Sequence, residues 1–208
     1  MAVFGSPYHD EKIAASFALK YALEMDDSID GAFYWCGSDL FEEQFMINKP
    51  FFGGFGMVNN EGIAKPVMYA FKILNEIPKE ELALEKNEVD DIDYHLYKGE
   101  DDYQLLVFNQ DFDYRKHQAH EIRIKIDDEI EEVKLKRIDD NHVNPKKMWI
   151  DYGEPKVLSV TQKREIIEKS KLIEENITFK FIDGYSYIDI TLYTNDIYLI
   201  KFKKKVRC

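Results

Sequence analysis

Residues 31–66 read GAFYWCGSDLFEEQFMINKPFFGGFGMVNNEGIAKP, and their order decides what fold the chain can adopt. Gly31 to Cys36 is an apolar run without alternation, which predicts a strand buried on both faces, as in a parallel sheet. Residues 37–61 are too irregular for one element, and Gly53, Gly54 and Gly56 imply a backbone that turns tightly or is approached closely. Lys65-Pro66 opens a helix over 66–76, with Pro66 in its first turn, Val67, Ala70, Phe71 and Leu74 as its buried stripe, and Pro78 closing it. Upstream, HDEKIAASFALKYALEM (9–25) places Ile13, Phe17 and Tyr21, with Ala14, Ala18 and Met25 beside them, at helical spacing. This predicts a helix over 10–26 whose positive end suits Asp10 and Glu11. Helix, buried strand, long loop, helix is the order that the last turn of a (β/α)-barrel would show, although two helices alone belong to many folds, and a long loop after a buried strand is where function tends to sit.

Beyond position 77 the period changes to two. Ile122, Ile124 and Ile126 alternate with Glu121, Arg123 and Lys125, the mark of a half-buried antiparallel strand. Similar runs occur at IDYHLY (92–97), YQLLVFN (103–109), EEVKLKRI (131–138), ITFKFI (177–182), YIDITLY (187–193) and DIYLIKF (196–202). They are separated by turn residues such as Gly99, Asp183-Gly184 and Thr194-Asn195. Seven short strands predict an antiparallel β-sandwich over 78–208, following a barrel-like segment over 1–77, an α+β chain overall. Between the fourth and fifth strands lies an insertion with Asn144-Pro145 and a short helix near TQKREIIEKS (161–170), with Ser159 and Gln162 as its capping pair.

The balance of 40 acidic against 28 basic residues, a net charge of -12, makes a phosphate backbone or an anionic membrane a poor partner, so neither nucleic acid nor membrane is expected for this segment. No long apolar run or secretory leader occurs, and two cysteines, Cys36 and Cys208, make no disulfide framework; a cytoplasmic setting is expected. The 13 tyrosines and 14 phenylalanines suggest sheets with aromatic faces.

Walker, HExxH, GxSxG and CxxC motifs are absent, and neither cofactor nor metal is expected. FFGGFG has the spacing of neither a Walker loop nor a dinucleotide turn. His117 and His120 lack a third ligand and read as loop histidines. Asp101, Asp102, Asp111 and Asp113 read as solvated turn carboxylates, because the glycine and glutamate of a calcium loop are missing. KFKKKVRC (201–208), with five basic residues, reads as an edge strand blunted by lysines. Trp35, Asp39, Glu42 and Glu43 are different: an aromatic face covers the apolar side of a pyranose, and carboxylates accept hydrogen bonds from its hydroxyls; the alternative is a loop carboxylate paired with backbone or a lysine. Adjacent Glu42 and Glu43 point to opposite faces of an extended backbone, so they suit binding rather than an acid and nucleophile pair, which must face each other across the glycosidic bond.

HDEKIAASFALKYALE, YWCGSDLFEE and FFGGFGMVNNEGIAKPVMYAFKIL resemble, in that order and spacing, the last part of the catalytic barrel of glycoside hydrolase family 39, the β-xylosidase and α-iduronidase family. RIDDNHVNPKKMWIDYGEP (137–155) resembles that family's C-terminal β-sandwich segment. The resemblance implies a retaining glycosidase on a (β/α)8 barrel with an attached sandwich, acting on a xyloside-like carbohydrate. It places both catalytic glutamates upstream of Met1, so no catalytic residue is assigned to this chain and the chain alone is expected to be inactive. By position, Trp35 resembles the aromatic floor beside the sugar, and Glu42 and Glu43 the glutamates on its hydroxyls. Phe52 stands at a substrate-facing position where the family usually has histidine. That departure keeps open a sugar-sensing or interaction domain of an AraC-type regulator. Barrel elements parted from their neighbours would expose apolar faces, so either docking on the sandwich or self-association is expected.

Overall fold

The computed structural model describes residues 5–25, 30–40, 49–85, 91–113 and 115–205. The chain divides into two compact units, Met1–Leu74 with Ile138–Leu172, and Asn75–Arg137 with Ile173–Cys208. It is a mixed α and β protein with antiparallel sheets. No helix among the described residues is long and apolar enough to cross a membrane.

The first unit is mainly helical. A 3-10 turn, Pro7–Asp10, leads into α1 (Lys12–Glu24), and α2 (Pro66–Glu76) follows the glycine-rich loop. Ala14 and Ala18 of α1 pack with Val67 of α2 in one cluster, with Tyr34, Met57 and Phe71 around it. Only part of the stripe expected on α1 is buried: Ile13, Ala14, Ala15, Ala18 and Leu19 face inward, whereas Tyr21 is 49% exposed and stacks on Phe17 with ring centroids 4.4 Å apart. Asp10 does not cap the helix. Its carboxylate is drawn away to the loop at Gly53 and to Lys65, and α1 begins after Glu11.

The same unit includes two helices that come later in sequence, α3 (Pro145–Asp151) and α4 (Val160–Lys169). Asn144 caps α3, its side chain accepting from the Lys147 amide, a helix start that was not anticipated. Ser159 and Gln162 form the expected reciprocal capping box of α4. Trp149, Leu158 and Ile166 from this insertion pack with Phe51 and Ile63, and Trp149 Nε1 donates to the Pro155 carbonyl at 2.9 Å. Ser159→Ala removes one of the two reciprocal bonds, and thermal unfolding should register a loss of about 1 kcal/mol.

Among its described residues the second unit holds nine strands: β1 (Glu80–Leu82), β2 (Ile92–Lys98), β3 (Tyr103–Asn109), β4 (Ala119–Ile126), β5 (Ile130–Ile138), β6 (Glu175–Asn176), β7 (Lys180–Ile182), β8 (Tyr185–Tyr193) and β9 (Ile197–Lys204). They form a six-stranded sheet in the order β1-β2-β3-β9-β5-β6 and a three-stranded sheet in the order β4-β8-β7. Both sheets send alternate residues into one core: Leu105, Val107, Val133, Leu135, Ile200 and Phe202 from one, and Ile126, Ile188, Ile190 and Leu192 from the other. The seven expected strands are present, and the additional β1 and β6 are too short to show a period.

Two expectations are corrected. Residues 31–36 are not a buried strand: Phe33 is 99% exposed and Trp35 73%. A strand is buried on both faces only where layers pack on both, and among the described residues the one parallel bridge near this segment is an isolated one just past it, Ser38 to Val58. The lysine-rich β9 is not an edge strand but lies between β3 and β5. Its lysines are neutralised instead of repelling neighbours: Lys201 faces Glu174 at 3.6 Å, and Lys204 faces Asp128 at 3.0 Å.

Candidate sugar-facing site

The glycine-rich loop is organised by a buried cation. Lys65, at the residue before α2, has no exposed surface, and its ammonium sits 2.7 Å from Asp10 Oδ1, 2.6 Å from Asp39 Oδ2 and 2.9 Å from the Gly54 carbonyl. An ammonium has three donors, and three oxygens surround it. The second oxygen of each carboxylate accepts from the loop backbone: Asp10 Oδ2 from the Gly53 amide at 2.7 Å and Asp39 Oδ1 from the Gly56 amide at 2.6 Å. His9 Nδ1 adds a hydrogen bond to the Gly53 carbonyl at 2.8 Å, and its ring lies 4.9 Å from Phe55.

This cluster explains the three glycines. A Cβ on Gly54 would lie 2.3 Å from Asp39 Oδ1, one on Gly56 would lie 2.3 Å from the Asp39 amide nitrogen, and one on Gly53 would lie 2.3 Å from the Ser6 carbonyl oxygen. The loop is no phosphate cradle, because carboxylates already occupy the amides of Gly53 and Gly56.

Backbone bonds join the loop to the segment that carries Trp35. The Cys36 amide donates to the Phe55 carbonyl at 3.2 Å, the Met57 amide to Cys36 at 2.9 Å, and the Asp39 amide to Val58 at 2.9 Å. The Lys65 amide then donates to Met57 at 2.8 Å, and Asn59 Oδ1 accepts from the amides of Glu61 and Ile63, closing the turn into α2. The Trp35–Cys36 peptide bond is cis.

Burial outweighs the nearby Lys65 ammonium and the Gly56 amide and holds the Asp39 carboxyl above its ordinary range, with Asp10 adding repulsion. Tyr34, packed edge-on to Phe71, has its phenol pushed up to about 12, first by burial and then by Asp39. The folded chain therefore holds this proton more tightly than the unfolded one. That contribution to stability is complete below the ordinary tyrosine value near 10 and is lost as the pH rises to about 12. Tyr34→Phe should flatten that alkaline loss in denaturation curves taken across the range.

Of the residues proposed to face a sugar, Trp35 is largely exposed and Phe52 is half-buried, between Phe51 in the α3–α4 cluster and Gly53 on Asp10. Glu42 and Glu43 lie outside the described residues. Asp39, quoted with them as a possible hydroxyl acceptor, is turned inward and consumed by Lys65 and Gly56. Asp39 is thus a loop carboxylate paired with backbone and a lysine, the alternative to sugar binding, whereas the identity of that lysine and the share of Asp10 had no local signal beyond three glycines that implied close approach.

With this geometry in view, the comparisons with known proteins are specific. The profile of glycosyl hydrolases family 39 matches residues 3–186. A β-xylosidase from Caldicellulosiruptor saccharolyticus is 31% identical over 182 residues, covering 86% of this chain and 37% of that protein. A β-xylosidase from Geobacillus stearothermophilus is 24% identical over 204 residues, covering 96% of this chain and 39% of that protein. Among solved structures, the GH39 enzyme from Xanthomonas axonopodis pv. citri matches 99% of this chain and 43% of its own with a TM-score of 0.78 at 21% identity. A monomeric β-xylosidase from Caulobacter crescentus CB15 matches 99% and 44% with a TM-score of 0.75 at 22% identity. The chain belongs to glycosyl hydrolases family 39. It spans less than two fifths of the length of the curated relatives it matches.

Proposed function

We propose that the chain is the C-terminal portion of a retaining, β-xylosidase-like glycoside hydrolase, whose last (β/α)8-barrel elements lie within 1–77 and whose β-sandwich lies within 78–208. In this reading Trp35 supplies the aromatic floor for a xyloside-like sugar, with Phe52 beside it, and Glu42 and Glu43 accept hydrogen bonds from its hydroxyls. The acid/base and nucleophile glutamates belong to the upstream part of the barrel, so the 208-residue chain alone turns over no glycoside. The free thiol of Cys36 fits a reducing, cytoplasmic setting.

The observation that carries the proposal is the exposed ring of Trp35 on a segment whose next residue is tied to the loop held by Lys65. A fixed, solvent-facing indole is poorly suited to a core and well suited to the apolar face of a pyranose. A second reading, a catalytically degenerate sugar-sensing or interaction domain of an AraC-type regulator, is favoured by Phe52, an apolar residue where the family usually has histidine. The coding DNA upstream of Met1, read in frame through the length of a barrel, separates the two. The resemblance implies an acid/base glutamate after an asparagine and a nucleophile in a Thr-Glu pair; both motifs at the barrel positions support the glycosidase, and a frame that lacks them and leads to a helix-turn-helix segment overturns it.

A further inference from the structure

Among the described residues the sheets of the second unit have four edges, and three end in strands of three residues or fewer: β1, β6 and β7. The fourth is β4, eight residues long, without proline or glycine. Its register against β8 runs without a bulge from Ala119 opposite Tyr193 to Ile126 opposite Ser186. Among the described residues no strand pairs with its other side. Long, regular, uncovered edges are what soluble proteins usually avoid, by shortening, bulging or covering them.

We propose that β4 is an interaction surface for a second copy of this chain, pairing antiparallel with its own counterpart about a two-fold axis at Arg123. The sequence of the strand is self-complementary in that register. Glu121 stands opposite Lys125 of the other copy on the outer face, twice by symmetry, and Ile122 stands opposite Ile124 on the core face, where both remain half-buried. The two Arg123 side chains meet at the axis without bare charge, because each guanidinium is held by Asp189 of its own chain, Nε to Oδ1 at 2.6 Å and Nη2 to Oδ2 at 3.3 Å. Neither Glu121 nor Lys125 is committed to a close opposite charge: Glu121 accepts from Thr191, and Lys125 lies over the Tyr185 ring with Asp127 3.9 Å away. The two three-stranded sheets become one of six, in the order β7-β8-β4-β4-β8-β7. This surface is independent of the sugar-facing site and of the glycosidase reading.

Sedimentation equilibrium of the 208-residue chain tests it, up to roughly millimolar protein because a single strand pair is a small interface. The wild type is expected to form a weak dimer. Glu121→Lys and Lys125→Glu each place like charges opposite one another at both symmetric positions and should weaken it roughly tenfold or more. Mixing the two single variants restores both attractive pairs in a heterodimer, and the double variant restores them in a homodimer. A fold defect could produce neither recovery. A wild type that stays monomeric throughout, single variants that dimerise like the wild type, or a mixture and double variant that recover nothing would each overturn the proposal.

Discussion

Lys65→Met is expected to destabilise the first unit by about 3–5 kcal/mol, the range for removing one partner of a fully buried ion pair. The substitution keeps the length of the side chain and deletes the charge, so the packing volume changes little while two carboxylates lose their cation. Asp10 and Asp39 have 1% and 0% of their side chains exposed, which leaves no water to replace the ammonium. The Asp39 carboxyl already sits above its ordinary range through burial, and without Lys65 it should take up a proton at a still higher pH. Urea denaturation monitored at Trp149, buried in the same unit, would measure the loss. A change below about 1 kcal/mol, typical of a surface pair, would mean that the cluster does not organise the loop. The surface pairs Lys147–Asp151 and Lys169–Glu165 provide that comparison within the same unit.

The second large effect is steric. Gly56→Ala sets a methyl group 2.3 Å from the Asp39 nitrogen and the Ser38 carbonyl carbon, both backbone atoms that cannot rotate aside. The segment would have to separate from the loop, breaking the bond from the Gly56 amide to Asp39, and a loss of about 3 kcal/mol is expected, at the upper end for overpacking. Gly37→Ala is the control. Nothing lies within 4 Å of its Cβ position, and the change should be near neutral by thermal unfolding. Equal effects at both positions would show that the glycines serve chain flexibility and not close approach.

What could be read in advance follows from where the physical constraint lies. The strands of the second unit were legible because each has a polar and an apolar face, as Glu121, Arg123 and Lys125 against Ile122, Ile124 and Ile126 show. The capping box at Ser159 and Gln162 was legible for a similar reason, since both partners are four residues apart or fewer. Residues 31–36 misled because an apolar run signals only that a strand prefers burial, while actual burial depends on layers that lie elsewhere. The basic stretch at 201–205 misled because charge on a strand says nothing of its acidic neighbours, and Glu174, Asp128 and Glu129 arrive from distant segments. The ion cluster was hidden for the same reason: Asp10, Asp39 and Lys65 are separated by more than twenty residues at each step, and no local pattern links them.

Trp35 was legible by type and position, and the physical meaning of its exposure came from its surroundings. The indole is 73% exposed although the amide and carbonyl of the next residue, Cys36, are both bonded to the glycine-rich loop. Under the glycosidase reading the same indole is covered by sugar once the remainder of the barrel is present.

The central claim is that this chain contributes a sugar-facing wall to a glycosidase whose acid and nucleophile come from another segment. Turnover of a chromogenic β-xyloside, measured for the 208-residue chain and for the same chain joined to its upstream coding segment, tests it most directly. The account predicts no turnover by the chain alone, activity in the joined protein, and a large loss of that activity with Trp35→Ala. Clear turnover by the chain alone, or a joined protein that is folded and inert, would contradict it.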